Sequence, residues 1–164
     1  MQYKSLPIKV AVSILIGSCL LIIACQTPAV TTTDYDLEQV KREVTQAVWT
    51  FHAADTARNA QGVLDLLWPE YMMLADGKRI SYADVAAGSP VFMESLRVFH
   101  TEWTDLQIIP ISDQAALSSF LFRDSLVTKT GEVMKKQGPN TFLWIKRGAE
   151  WRVRYGDADH YPWD

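Results

Sequence analysis

Residues 98–158 read VFHTEWTDLQIIPI (98–111), SDQ (112–114), AALSSFLFRDSLVT (115–128), KTG (129–131), EVMKKQGPNTFLWIK (132–146), RGAE (147–150) and WRVRYGDA (151–158). The long pieces are rich in aromatic and branched residues. The short ones between them hold turn residues: Ser112-Asp113, Thr130-Gly131 and Arg147-Gly148. Four long strands joined by short turns predict an antiparallel meander.

Upstream the pattern is helical. Leu37, Val40, Val44, Val48 and Phe51 recur at helical spacing, which predicts a first helix over Leu37–Ala57. Asp36 is its N-cap, with Gln39 three residues on as a capping box. Asn59 caps a second helix carrying Val63, Leu64, Leu66 and Leu67, and Pro69 stops it. Tyr71–Leu74 reads as a short strand, and Asp76-Gly77 as a hairpin turn into Lys78–Ser81. A third helical stretch lies between Tyr82 and Leu96, with Gly88 and Pro90 breaking or restarting it. Helices first and strands afterwards is the α+β pattern, with the helices on one face of a curled sheet.

The order of these pieces carries a resemblance. A long helix is followed by a short one ending in Leu66-Leu67-Trp68-Pro69. Then come Glu102-Trp103-Thr104-Asp105-Leu106, Asp113-Gln114-Ala115-Ala116, and the closing pair Thr141-Phe142-Leu143-Trp144 and Trp151-Arg152-Val153. Over Leu37–Asp159 the chain resembles the SnoaL-like group of the nuclear transport factor 2-like superfamily. The resemblance implies a cone-shaped α+β fold of three N-terminal helices packed on a curved antiparallel meander sheet. That superfamily includes isomerases, dehydratases, epoxide hydrolases, polyketide cyclases and non-catalytic binding or assembly domains, so the fold does not choose a chemistry. Many relatives close the last strand with a His-x-His run facing the cone. Here the matching positions are Tyr155 and Asp157, which resemble a ketosteroid-isomerase site in residue type only.

The beginning of the chain reads differently. Lys4 and Lys9 precede a continuous apolar run, Val10–Ala24, which ends in Leu21-Ile22-Ile23-Ala24-Cys25. A basic start, a short apolar core and a small residue before the cut form a secretory signal. With Cys25 after the small residue, it resembles a bacterial lipoprotein signal in which that cysteine receives lipid. An uncleaved anchor is the alternative, but a span needs about 20 apolar residues. Ile16-Gly17-Ser18-Cys19 is a second, minor candidate for the lipid signal. Gln26 in place of Asp implies outer-membrane sorting in a two-membrane cell. The expected organisation is thus a signal peptide over 1–24, a lipidated cysteine with a Thr-rich tether over 25–35, and one domain over 36–164. The expected location is the cell envelope, on the periplasmic face of the outer membrane.

The chain has 164 residues, two cysteines and a formal charge of −3. Loss of the leader removes Lys4 and Lys9 and no acid, so the negative balance grows. No Lys/Arg block stands out, and nucleic acid is not an expected partner. With Cys19 in the leader and Cys25 lipidated, the domain has no disulfide, and thiol catalysis is excluded.

Strict alternation along the last strand puts Trp151, Val153, Tyr155, Asp157 and Asp159 on one face. Trp151 and Val153 mark that face as buried, which predicts Asp157 inside the cone, where apolar walls raise a carboxylate's pKa. The resemblance implies that the first helix covers the mouth of the cone, so that His52, one turn beyond Val48, is expected to meet Asp157 as a base–orienter pair. Asp157, Tyr155 and His52 are therefore the candidate catalytic residues. The alternative is that Asp157 is hydrogen-bonded near the rim and His52 flanks the core, both as structural residues. Trp49, His100, Phe122, Phe142 and Trp144 are the candidate pocket residues. Along 115–128, Ser118, Phe120, Phe122 and Asp124 share one face and Leu117, Ser119, Leu121 and Arg123 the other. Both faces are partly apolar, so the pattern leaves the inner one open. His100 and Glu102 share a strand face, but no histidine spacing has metal-ligand form. No metal and no cofactor are expected. There is no Gly-x-Ser-x-Gly elbow, phosphate-binding glycine loop or His-Glu-x-x-His.

Together these readings predict a lipid-anchored protein whose cone binds a small, largely apolar molecule. An isomerase-, dehydratase- or hydrolase-type enzyme and a non-catalytic assembly module are the alternatives. Because many relatives pair through the outer face of the sheet, the resemblance also implies a homodimer.

Overall fold

In the computed structural model, the structure describes residues 36–164. The expected signal peptide, the lipid site at Cys25 and the tether lie outside the described residues. Helix α1 (Leu37–Thr56) starts at Asp36, whose side chain accepts from the Gln39 backbone N–H at 3.0 Å. Only half of the expected capping box forms, because the Gln39 amide turns instead to Glu43 at 2.8 Å. Val40, Val44 and Val48 make the buried stripe, with Ala47 and Phe51 beside it. That stripe packs on the sheet.

Helix α2 (Ala60–Asp65) is capped by Asn59, as expected. It ends earlier than the position of Pro69 suggested. Leu67 and Pro69 belong to strand β1 (Leu67–Ala75), and the Leu66 carbonyl accepts from the Val153 N–H at 2.8 Å. Pairing with a distant strand outweighs local helix propensity here. Asp76 and Gly77 both have positive φ, 51° and 74°, as a two-residue hairpin turn into β2 (Lys78–Ser81) requires.

Helix α3 (Tyr82–Ser95) opens on a full capping box between Ser81 and Asp84. It runs unbroken through Gly88 and Pro90, against the expected interruption. Pro90 is exposed, and its missing N–H costs one helical hydrogen bond on the solvent side. Tyr82, Val85, Ala86 and Met93 hold the helix to the body.

The four long strands are β3 (Leu96–Pro110), β4 (Ala115–Thr128), β5 (Val133–Arg147) and β6 (Glu150–Ala158), followed by a short β7 (Tyr161–Pro162). Strands β3 to β6 form the antiparallel meander in the order read from the sequence. The full order is β2-β1-β6-β5-β4-β3, with β7 pairing the start of β5. Strand β1 lies parallel to β6, so the curved sheet is mixed at that side. The result is an α+β cone, with the three helices on the concave face.

Two irregularities set the side-chain directions. In β3 the register shifts between Thr104 and Gln107, where Asp105 takes a left-handed φ of 56°. In β6, Val153 pairs with Trp144 and Tyr155 pairs with Leu143, so Arg154 is an extra, unpaired residue. Its guanidinium is held by the Glu70 carbonyl of β1. Such a bulge reverses the in/out alternation beyond it.

The deepest core lies where α1 meets β4, β5 and β6. Val44, Val48, Ala116, Ser118, Trp144 and Val153 are all fully buried. The Trp144 indole N–H donates to Ser118 Oγ at 2.8 Å. A hydroxyl in the core is thereby matched to an indole that needs an acceptor.

Candidate functional site

Above this floor the cone is hollow. A cavity of about 210 Å³ is lined by Phe51, Tyr71, Trp103, Phe120, Phe122 and Phe142, together with Val63, Leu67, Met73 and Val85. Its polar lining consists of Asp55, Asp124, Asn140 and His160. The inward row of α1 runs Val44, Val48, Phe51, Asp55. That of β4 runs Ser118, Phe120, Phe122, Asp124. That of β6, after the bulge, runs Gly156, Ala158 and then His160. Each row thus ends in a polar residue at the same end of the cone. Asp55, Asp124 and His160 are only partly buried, so that end is the mouth.

The aromatic wall is continuous. Trp103 stacks on Phe120 with centroids 4.1 Å apart, and Phe120 meets Phe142 edge-on at 5.7 Å. Phe51 closes the group from α1, 5.3 Å from Phe142 and 6.0 Å from Trp103. Gly156 lets β6 come close to this wall, since a Cβ there would lie 3.2 Å from the Phe142 ring.

The two carboxylates differ from ordinary surface acids. Burial, with the Asp124 charge as a second cause, raises the Asp55 pKa from 3.8 to about 7. Asp124 is also raised by burial, while the Thr101 hydroxyl and the His160 and His100 rings oppose the rise. Thr101 faces Asp124 across the β3–β4 ladder and is only 5% exposed. It is close enough to favour the charged form of Asp124, yet its Oγ1 lies outside hydrogen-bond geometry to any group. Asn140 Oδ1 is likewise buried without a partner. Burial alone pushes the Tyr71 phenol up. His160 is held by Asp76 of the β1–β2 turn, through its backbone N–H at 2.8 Å and its Nδ1 at 3.1 Å, and its ring lies 5.0 Å from Phe122. At neutral pH Asp55 is poised to give or take a proton. Among the described residues, no three His, Cys, Asp or Glu side chains converge as a metal-ligand set.

The expected site is placed differently. Because of the Arg154 bulge, Asp157 faces outward and is exposed, on the convex face beside β1. Tyr155 turns the same way and its hydroxyl donates to Asp157 Oδ2 at 3.4 Å. The expectation of a carboxylate inside the cone at position 157 is overturned; Gly156 and Ala158 take the inward places. His52 does not meet Asp157. It packs edge-on between Trp49, at 5.4 Å, and Trp103, at 4.9 Å. Phe122 and Phe142 line the cavity. Trp144 lies beneath it as core. Trp49 is 44% exposed, and His100 sits on the outer face near Glu102 at 3.5 Å, so neither reaches it. On β4 the Ser118–Phe120–Phe122–Asp124 row is the inner one, which resolves the ambiguity of that strand. Asp55 went unrecognised in the sequence, although a carboxylate one turn beyond Phe51 on an apolar stripe is a legible signal.

Neither a protein-family model nor a curated protein matches the sequence. Solved structures match its fold. A nuclear transport factor 2-like superfamily protein from Salmonella enterica aligns with a TM-score of 0.66 at 15% identity, over 75% of this chain and 92% of that one. A ketosteroid isomerase-like protein from Erwinia carotovora aligns with a TM-score of 0.63 at 14% identity, over 77% and 98%. The association domain of C. elegans CaMKII aligns with a TM-score of 0.61 at 14% identity, over 74% and 95%. The fold is therefore the nuclear transport factor 2-like cone.

Proposed function

We propose that this protein is a lipid-anchored, envelope-facing SnoaL-like domain that binds a small, largely apolar molecule in its cone. The observation that carries the binding reading is the cavity itself. A continuous aromatic wall encloses it, and its ionisable groups gather at one end. Such a site buries an apolar body and orients it by a few polar contacts. The leader pattern ending at Cys25 supports the anchor and the periplasmic location. Leu121 and Ile109, exposed on the outer face of the sheet, support pairing of two copies there.

Acid–base catalysis of the isomerase, dehydratase or hydrolase type is the second reading. It is favoured by Asp55, whose proton affinity near neutrality suits a general acid or base. In this reading Asp55, not Asp157, exchanges the proton.

Native mass spectrometry on protein purified from its own host tests the binding reading. The expected result is a retained small molecule that is lost in Val85→Phe, which fills the cavity from α3. Equal retention by the cavity-filled variant overturns it.

A further inference from the structure

The cavity lining is unbalanced in charge and in hydrogen-bonding type. Asp55 and Asp124 both face it, and among the described residues no Lys or Arg lines it. The Nδ1 of His160 is already committed to Asp76 at 3.1 Å. The buried Asn140 Oδ1 has no donor, and the Thr101 hydroxyl beside Asp124 is a neutral group that supplies no charge. The cavity thus offers two carboxylates and a free amide oxygen, with no positive side chain in its lining to match them. Buried polar groups left in this state are costly unless a ligand completes them. The rest of the wall consists of aromatic faces, whose quadrupole attracts cations.

We propose that the occupant of the cavity is a small protonated amine, with its ammonium between Asp55 and Asp124 and its apolar body among Phe51, Phe120 and Phe142. This rests on the reading of the cavity as a ligand site and narrows the class of ligand. The ammonium supplies what the lining lacks: three donors for the carboxylates and the Asn140 oxygen, and a charge that the aromatic rings also favour. A neutral ligand of the same shape satisfies the wall and leaves both carboxylates uncompensated. A carboxylic acid adds a third negative charge and is rejected. The elevated proton affinity of Asp55 agrees with a site that lacks its positive partner in the empty protein.

Benzylamine and benzyl alcohol, matched in shape and differing in charge, separate the possibilities by titration calorimetry on the full chain. The measurement is made at about pH 8, above the pKa of Asp55 near 7 and where benzylamine is protonated. Benzylamine is expected to bind at least about tenfold more tightly than benzyl alcohol. Asp124→Asn and Asp55→Asn should each erode that preference, bringing the two affinities together. Equal affinity of the two probes for the native protein overturns the amine assignment and leaves the cavity as a binding site for neutral molecules. Failure of both probes to bind overturns the amine assignment and the binding reading together.

Discussion

Replacing Asp55 by Asn should stabilise the protein, and by an amount that grows with pH. An unfolded aspartate loses its proton near 3.8, whereas Asp55 in the cone keeps it to about 7. Below about pH 3 the side chain is neutral in both states, and the substitution changes little. Between about 4 and 7 the unfolded chain is ionised while the folded one holds its proton. Native stability therefore falls by about 1.4 kcal/mol for each pH unit. Above 7 both states are ionised and the penalty is constant. A rise of about 3 pH units sets that plateau at no more than about 4 kcal/mol. Asn has nearly the shape of the protonated acid and carries no charge, so Asp55→Asn escapes the penalty. Urea unfolding followed by tryptophan fluorescence at pH 4, 5.5, 7 and 8 reads the difference directly. The two proteins should differ least at pH 4 and diverge steadily, with the variant more stable at pH 8. A gap that stays flat, or that narrows as pH rises, refutes the argument. Part of the shift comes from the Asp124 charge, so Asp124→Asn should lower the pH at which the divergence levels off.

Glu43 should titrate with the opposite sign. Its carboxylate accepts from Lys146 and the Trp151 indole, each at 2.7 Å, and these bonds with that from Gln39 lower its pKa from 4.5 to about 2. The stability it contributes is present above about pH 4.5 and is lost as pH falls toward 2, and Glu43→Gln should flatten that acid limb in the same unfolding series. Ser118→Ala leaves the buried Trp144 N–H without its acceptor and should cost about 1–3 kcal/mol in urea unfolding, and an unchanged midpoint would refute that role. Gly138→Ala should cost about 1–3 kcal/mol or more, read as a lowered thermal midpoint. Its new Cβ would lie 1.8 Å from the Asp159 carbonyl oxygen, so β5 and the segment after β6 must part. Retention of the native midpoint would show that this close approach is not structural.

Much of this molecule is written locally. The valine stripe of α1, the caps at Asp36 and Asn59, the turn at Asp76-Gly77 and the four long strands follow from spacing and residue type. Side chains that contact the backbone within a few residues, and apolar faces of regular period, need no distant partner to be read.

What the tertiary structure decided is where the chemistry sits. The single extra residue at Arg154 exists because β6 must pair with β5 on one side and with β1, which is remote in sequence, on the other. Strict alternation then ceases to hold, Asp157 turns to solvent, and Gly156, Ala158 and His160 turn inward. The same non-local pairing ends α2 before Pro69. On β4, two faces of similar polarity gave no inner side until α1 covered one of them. Asp55, Asp124 and His160 come from a helix, the strand next to the sheet's β3 edge and a segment after the last long strand, and only closure of the cone brings them to one mouth. Bulges and convergence depend on which strands become neighbours, and local periodicity does not encode that choice.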